Sequence, residues 1–236
     1  MSRFDTTQWS VVVAAGSSHS ERARPALESL CKTYWRPLHQ YLRANGCNDD
    51  DARDLTQSFL ASLIERGSVA DADRSRGRFR AFLLASLKHF LLNDIAASRT
   101  LKRGGGTVAV AIDAHPPGAL QHAALTNKHT PEHDFDRQWA LAVLGQVTDR
   151  LRAEWVSAGK GYEFDTLAPT LAGDKAAGGY AELAKAIGST EGAVKVTIHR
   201  LRQRYRRYLK EAIADTVATP DEVDDEIRYL LRALAG

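Results

Sequence analysis

The sequence predicts an all-α protein, two helical domains joined by a flexible linker, with a helix-turn-helix in the second. Three observations predict it. Apolar residues recur at steps of three and four through most of the 236 residues. Strand-like alternation is nearly absent, and the best β-branched run, Val11-Val12-Val13, follows threonines that can cap a helix. Between two periodic blocks lies an aperiodic stretch punctuated by Gly104-Gly105-Gly106 and Pro116-Pro117-Gly118. With 44% hydrophobic and 26% charged residues the chain can bury a core, which excludes wholesale disorder.

The elements follow in order. Trp9, Val12 and Val13 stand at helical spacing. Over 26–44, Leu27, Leu30, Tyr34, Leu38, Tyr41 and Leu42 form one apolar face, and Asn45-Gly46 ends that helix because both residues tolerate the left-handed conformation. Asn48 or Asp49 caps the next, with Leu55, Phe59, Leu60 and Leu63 as its stripe. Phe79, Phe82, Leu83, Leu87, Phe90, Leu91 and Ile95 mark a long third helix, and such consecutive helices form a bundle. This first domain is read as 1–103 and the linker as 104–133. The second domain, 134–210, opens with a helix carrying Trp139, Leu141, Val143, Leu144, Val147 and Leu151. A Gly/Ala-rich stretch, 157–179, holds a short helix around 162–171.

Over 180–210 the pattern is specific. Tyr180 to Ile187 makes a short helix with Leu183, Ala184 and Ile187 inward. Gly188 supplies a turn, and Ser189 or Thr190 caps a second helix. There Val194, Ile198, Leu201, Tyr205 and Leu209 face inward, leaving Lys195, His199, Arg200 and Arg202 on or near the other face. A helix so arranged can lie in a major groove, where Arg and Lys bond guanine. The remainder, 211–236, is an acidic extension: Pro220 and five acids from Asp221 to Glu226 lead into Ile227, Leu230, Leu231 and Leu234, an amphipathic helix. Two placements for it are weighed, back against the basic helix or packed on the second domain.

Charge is uneven although the net is only +3. Residues 48–65 sum to −4, 73–103 to +6, 180–210 to +6 and 211–236 to −5. Two basic blocks in one chain suit two polyanion contacts, against the plainer reading of solvated helix faces. Cys31 and Cys47 are too few for a disulfide framework or a zinc ligand set and read as reduced packing thiols. No apolar run nears the roughly 20 residues of a membrane span, and the opening Met1–Asp5 has no signal core, so a cytoplasmic protein without membrane insertion is expected. His115, His122, His129 and His133 lack a carboxylate or Cys frame, and Arg103–Thr107 lacks the Gly-Lys-Ser/Thr ending of a phosphate loop. No catalytic residues, metal or cofactor are expected.

The ordered motifs resemble a family. Tyr180 to Leu209, with Thr190-Glu191-Gly192-Ala193-Val194-Lys195 at its centre, resembles the second DNA-binding domain of bacterial sigma factors of the extracytoplasmic-function type. Asp51-Ala52-Arg53-Asp54-Leu55-Thr56-Gln57-Ser58-Phe59 is similar to the family segment that docks on core RNA polymerase, and Phe79-Arg80-Ala81-Phe82-Leu83 to the start of the −10 segment. The resemblance covers roughly 25–100 and 135–210. It implies a transcription initiation factor rather than an enzyme, in which Asp51, Asp54 and Gln57 bind core polymerase. Promoter DNA would be held at the −10 element by Arg80, Phe82, Lys88, His89 and Asn93. The −35 element would be read by Thr190, Lys195, Val196, Thr197, His199, Arg200 and Arg202.

The chain departs from the pattern in places. Arg53 and Ser58 stand where acids are common, His89 for a usual Asn, Asn93 for a usual Asp, and Val196-Thr197 for a Ser-Arg pair. Either the remaining acids suffice for polymerase, or a phosphate on Thr56 or Ser58, roughly −2, restores the charge and names a Ser/Thr kinase as partner. An anti-sigma factor is the other regulatory partner the family implies. Two alternatives to a sigma factor are a stand-alone helix-turn-helix regulator, and a catalytic all-α protein acting on nucleic acid through the histidine cluster.

Overall fold

The computed structural model describes residues 23–65, 78–101, 130–172, 179–214, 216–217 and 219–235. Every regular element among them is helical. The helix expected around Trp9, residues 104–129 of the linker read as 104–133, with His115, His122 and His129, and the glycine-rich stretch at 173–178 lie outside the described residues. The chain divides into two compact units. One draws on residues up to Ala142 and again from Ile213 onward, the other on Val143–Ala212.

The first unit begins with α1, Ala23–Ala44, and α2, Asp49–Glu65. Gly46 at φ 91° ends α1, and the Cys47 amide returns to the Leu42 carbonyl at 3.1 Å, satisfying a helix-end acceptor. Asn48 caps α2, its Oδ1 accepting from the Asp51 amide at 2.8 Å and its Nδ2 donating to the Asp51 carboxylate at 2.7 Å. Tyr34, Leu38 and Leu42 of α1 are wholly buried, and α1 packs on the stripe Ala52, Thr56, Phe59, Leu60 and Leu63 of α2. Thr56 replaces Leu55 in the expected stripe, and Leu55 is only half-buried.

Helix α3, Phe79–Leu101, adds Phe79, Leu83, Leu87 and Leu91 at steps of four. Phe79 meets Tyr34 edge-on at 5.4 Å and Phe59 meets Phe90 at 5.6 Å, geometries that aromatic quadrupoles favour. Helix α4, Pro131–Ser157, starts inside the expected linker 104–133, before the domain boundary read at 134, with Glu132 and Asp134 in its first turn. Its opening turns bury Phe135, Trp139 and Ala140 in the first unit.

The second unit takes the rest of α4, with Val143, Val147 and Leu151 buried. It continues through α5, Gly161–Leu167, and a 3-10 turn, Ala168–Ala172. Gly159 at φ 74° makes the reversal after α4, and Trp155 lies 6.0 Å from Phe164 across it. Then come α6, Gly179–Ala186, and α7, Glu191–Ala214.

The C-terminal helix α8, Val223–Ala235, belongs to the first unit. Ile213, Val217, Val223, Leu230 and Ala233 are buried there. The sequence leaves the extension weighed against the basic helix or the second domain; the contacts that bury Glu226 and hold Tyr229 are with α3 and the start of α4, within the first unit, and are set out next.

Candidate nucleic-acid interface

Helices α6 and α7 meet through a turn of defined geometry. Gly188 sits at φ 65°, and the Ser189 amide reaches back to the Ala184 carbonyl at 2.8 Å. Thr190 is the N-cap of α7: its Oγ1 accepts from the Ala193 amide at 3.3 Å, and its carbonyl accepts the first helical bond from Val194 at 2.9 Å. Val194, Ile198, Leu201, Tyr208 and Leu209 are buried while Tyr205 is half-buried, so the inward stripe includes a tyrosine the spacing had not selected.

The opposite face of α7 is presented to solvent. Lys195, Val196, His199, Arg200 and Gln203 are exposed, along with Thr190, and Thr197 is half-buried at the edge. Val196 is 49% exposed, an apolar contact surface among cations. Lys195 forms an i,i+4 pair with Glu191 at 3.4 Å and lies 5.2 Å from the Tyr180 ring centre. Arg200 and His199 make no ion pair among the described residues.

Arg202 differs from these neighbours. Its Nη2 and Nε donate to the Thr170 carbonyl at 2.7 and 3.2 Å, so it anchors the 3-10 turn to α7. Beside Arg200 a cleft of about 560 Å³ is lined by Trp155, Lys160, Thr197 and Arg204. Glu154 holds one wall, pairing with Arg204 at 3.3 Å and accepting from the Tyr208 hydroxyl.

On α2, Asp51, Asp54, Gln57 and Ser58 are all exposed. Arg53 pairs within the helix to Asp49 at 2.9 Å and Asp50 at 3.3 Å, which leaves Asp54 and Asp51 as the acids it does not neutralise. Thr56 is wholly buried, its hydroxyl donating to the Ala52 carbonyl at 2.7 Å, so of the two hydroxyls weighed for phosphorylation only Ser58 stands open to a kinase.

The α3 residues separate into two groups. Phe82, His89 and Asn93 share a face, the first half-buried and the others exposed. Lys88 is exposed beside it and pairs with Glu132 at 2.9 Å. Burial alone would lower the Lys88 ammonium, but the Glu132 hydrogen bond and the surrounding charge outweigh it and raise it.

Arg80 is instead 6% exposed. Its Nε holds Asp136 Oδ1 at 2.9 Å and its Nη1 pairs with Glu226. Its guanidinium lies between the rings of Trp139, 4.7 Å away, and Tyr229, 4.5 Å away. Arg78 Nε takes the second oxygen of Glu226 at 2.9 Å, and the Tyr229 hydroxyl donates to Asp136. Burial lowers the Arg80 guanidinium from its ordinary value, with Asp136 opposing the shift.

The sequence places Trp139 in an apolar stripe and Glu226 in the acidic run, but nothing in it brings them, or Asp136 and Tyr229, to Arg80. A usable signal existed for Arg80 itself, since it precedes Leu83, Leu87 and Leu91 at steps of three, four and four and therefore shares the core stripe.

No helix among the described residues is long and apolar enough to cross a membrane. Among them no group of three or more His, Cys, Asp or Glu could hold a metal ion. No family model matches the chain, and no curated protein or solved structure does.

Proposed function

We propose that this chain is a transcription initiation factor of the sigma type, acting in the cytoplasm by binding rather than catalysis. In this reading it has two functional domains. The α6–α7 pair is a helix-turn-helix that reads duplex promoter DNA, α2 docks on core RNA polymerase, and α3 contacts the melted −10 strand. The observation that carries it is α7: a capped helix with its apolar stripe buried and Lys195, Val196, His199 and Arg200 presented together on the exposed side. Cations there suit guanine edges and phosphates, and Val196 suits a thymine methyl group. The acids left unpaired by Arg53 suit a basic surface on the polymerase and would set its rate and register of docking.

The test is co-elution of the purified chain with bacterial core RNA polymerase, beside a variant carrying Asp51→Lys and Asp54→Lys. Stoichiometric binding that the variant loses is the expected result. Failure of the unaltered chain to bind overturns the sigma reading. Tight duplex binding without polymerase would then support the second reading, a stand-alone helix-turn-helix regulator. One observation favours that second reading: Arg80, which the sigma resemblance assigns to the −10 strand, is enclosed by carboxylates.

A further inference from the structure

The first unit sets two cations, buried Arg80 and part-exposed Arg78, under a helix that carries the opposite charge. Glu226 is fully buried and contacts both Arg78 and Arg80, one oxygen to each. Two guanidiniums converging on one carboxylate form the kind of fork that also receives a phosphate. Arg80 lies between the rings of Trp139 and Tyr229; Tyr229 is carried by α8 itself, whereas Trp139 on α4 stays when α8 leaves and offers a flat face on which an unstacked base can lie. The helix that supplies the carboxylate has the composition of a polyanion at its start, with Asp221, Glu222, Asp224 and Asp225 beside Glu226.

The attachment of α8 is of a kind that can be released. It has 13 residues, a length at which an isolated helix is marginal in water. Its apolar anchors are Val223, Leu230 and Ala233, while Leu231 is 55% exposed. The ion pairs contribute little net stability against apolar packing, because both partners lose their hydration on closing. They do decide what occupies the arginines.

We propose that α8 is a displaceable internal ligand, in which Glu226 holds Arg78 and Arg80 in place of the phosphates of single-stranded DNA. The inference rests on the reading of α3 as a nucleic-acid surface and adds its regulation: the cation pair is shut while α8 is seated. Binding of a single strand and seating of α8 are then mutually exclusive, so each must weaken the other by the same factor.

The test uses the full chain and a mixed-sequence single-stranded DNA oligonucleotide, with fluorescence anisotropy for affinity. Glu226→Gln should tighten binding about tenfold, within the ~5–150-fold range usual for coupled sites, and Arg78→Ala added to it should remove the gain. Hydrogen exchange in 223–235 of the unaltered chain should speed up when the oligonucleotide saturates it. Unchanged affinity in a Glu226→Gln protein of normal helicity overturns the proposal. If that variant does not fold, exchange in the unaltered chain decides, and α8 amides that stay equally protected under saturating oligonucleotide overturn it. A helix serving only as a structural staple gives that second pattern. Failure here is distinct from failure of the sigma reading, which is judged by polymerase co-elution and its loss with Asp51→Lys and Asp54→Lys.

Discussion

Thr56 and Ser58 lie two positions apart on α2, yet one is wholly buried and the other exposed. Helical geometry turns the chain by about 200° over two residues, so neighbours in sequence can have opposite fates. A carboxylate at Thr56 would be buried without a cation, and Thr56→Glu is expected to cost about 3–5 kcal/mol. Ser58→Glu should stay within ~0.5 kcal/mol, as exposed positions do. Urea unfolding followed by circular dichroism separates the two, and equal midpoints would contradict the placement. Tyr34 gives a pH signature. Burial pushes its phenol well above the ordinary value of 10, partly offset by the Trp139 hydrogen bond and then by the Arg80 charge. The unfolded chain therefore releases this proton first, and above that pH the folded state binds more protons. Stability contributed by the neutral phenol is complete below pH 10 and declines as pH rises beyond it. Tyr34→Phe should flatten the fall in urea midpoint between about pH 9 and about pH 11, and an unchanged slope would assign the fall to other groups.

At the level of elements, what could be read from the sequence is what local pattern controls. The Asn45-Gly46 stop, the Asn48 cap, the short helix near 162–171 and the Gly188 turn each depend on residues within one or two turns of one another. Gly188, at φ 65°, needs the left-handed backbone. Nothing lies within 4 Å of a Cβ built on it, so a side chain meets no neighbour, and the left-handed backbone alone sets the cost. Gly188→Ala should lose about 1–2 kcal/mol and Gly188→Asn less, read from denaturant midpoints of the second unit followed through Trp155 fluorescence. A loss for Ala no greater than that for Asn would show that the turn relaxes to another conformation. Tyr208 was missed for a reason of the same scale. Its ring is held by Arg150 at 3.7 Å and its hydroxyl by Glu154, both on α4, and the spacing along α7 contains no trace of either.

For the whole molecule, the partly legible feature is the fate of charge. Charge sums by segment located the basic and acidic blocks correctly as composition, but which block meets which is decided by contacts far apart in the chain. Arg80 on α3, Asp136 on α4 and Glu226 on α8 come from three separate helices. The exposed basic face of α7 was readable because it needs no partner. The enclosure of Arg80 was not, because its partners could be known only from the fold. The second unit is one unbroken run, Val143–Ala212, whereas the first takes Glu226 from beyond it. During synthesis on the ribosome every residue of the second unit emerges before α8 does. The nascent chain thus carries Arg78 and Arg80 without Glu226, with only Asp136 and Trp139 beside Arg80, when all of the α7 sequence has been made. A polyanion nearby, the ribosome's own RNA included, meets those arginines before Glu226 can reach them.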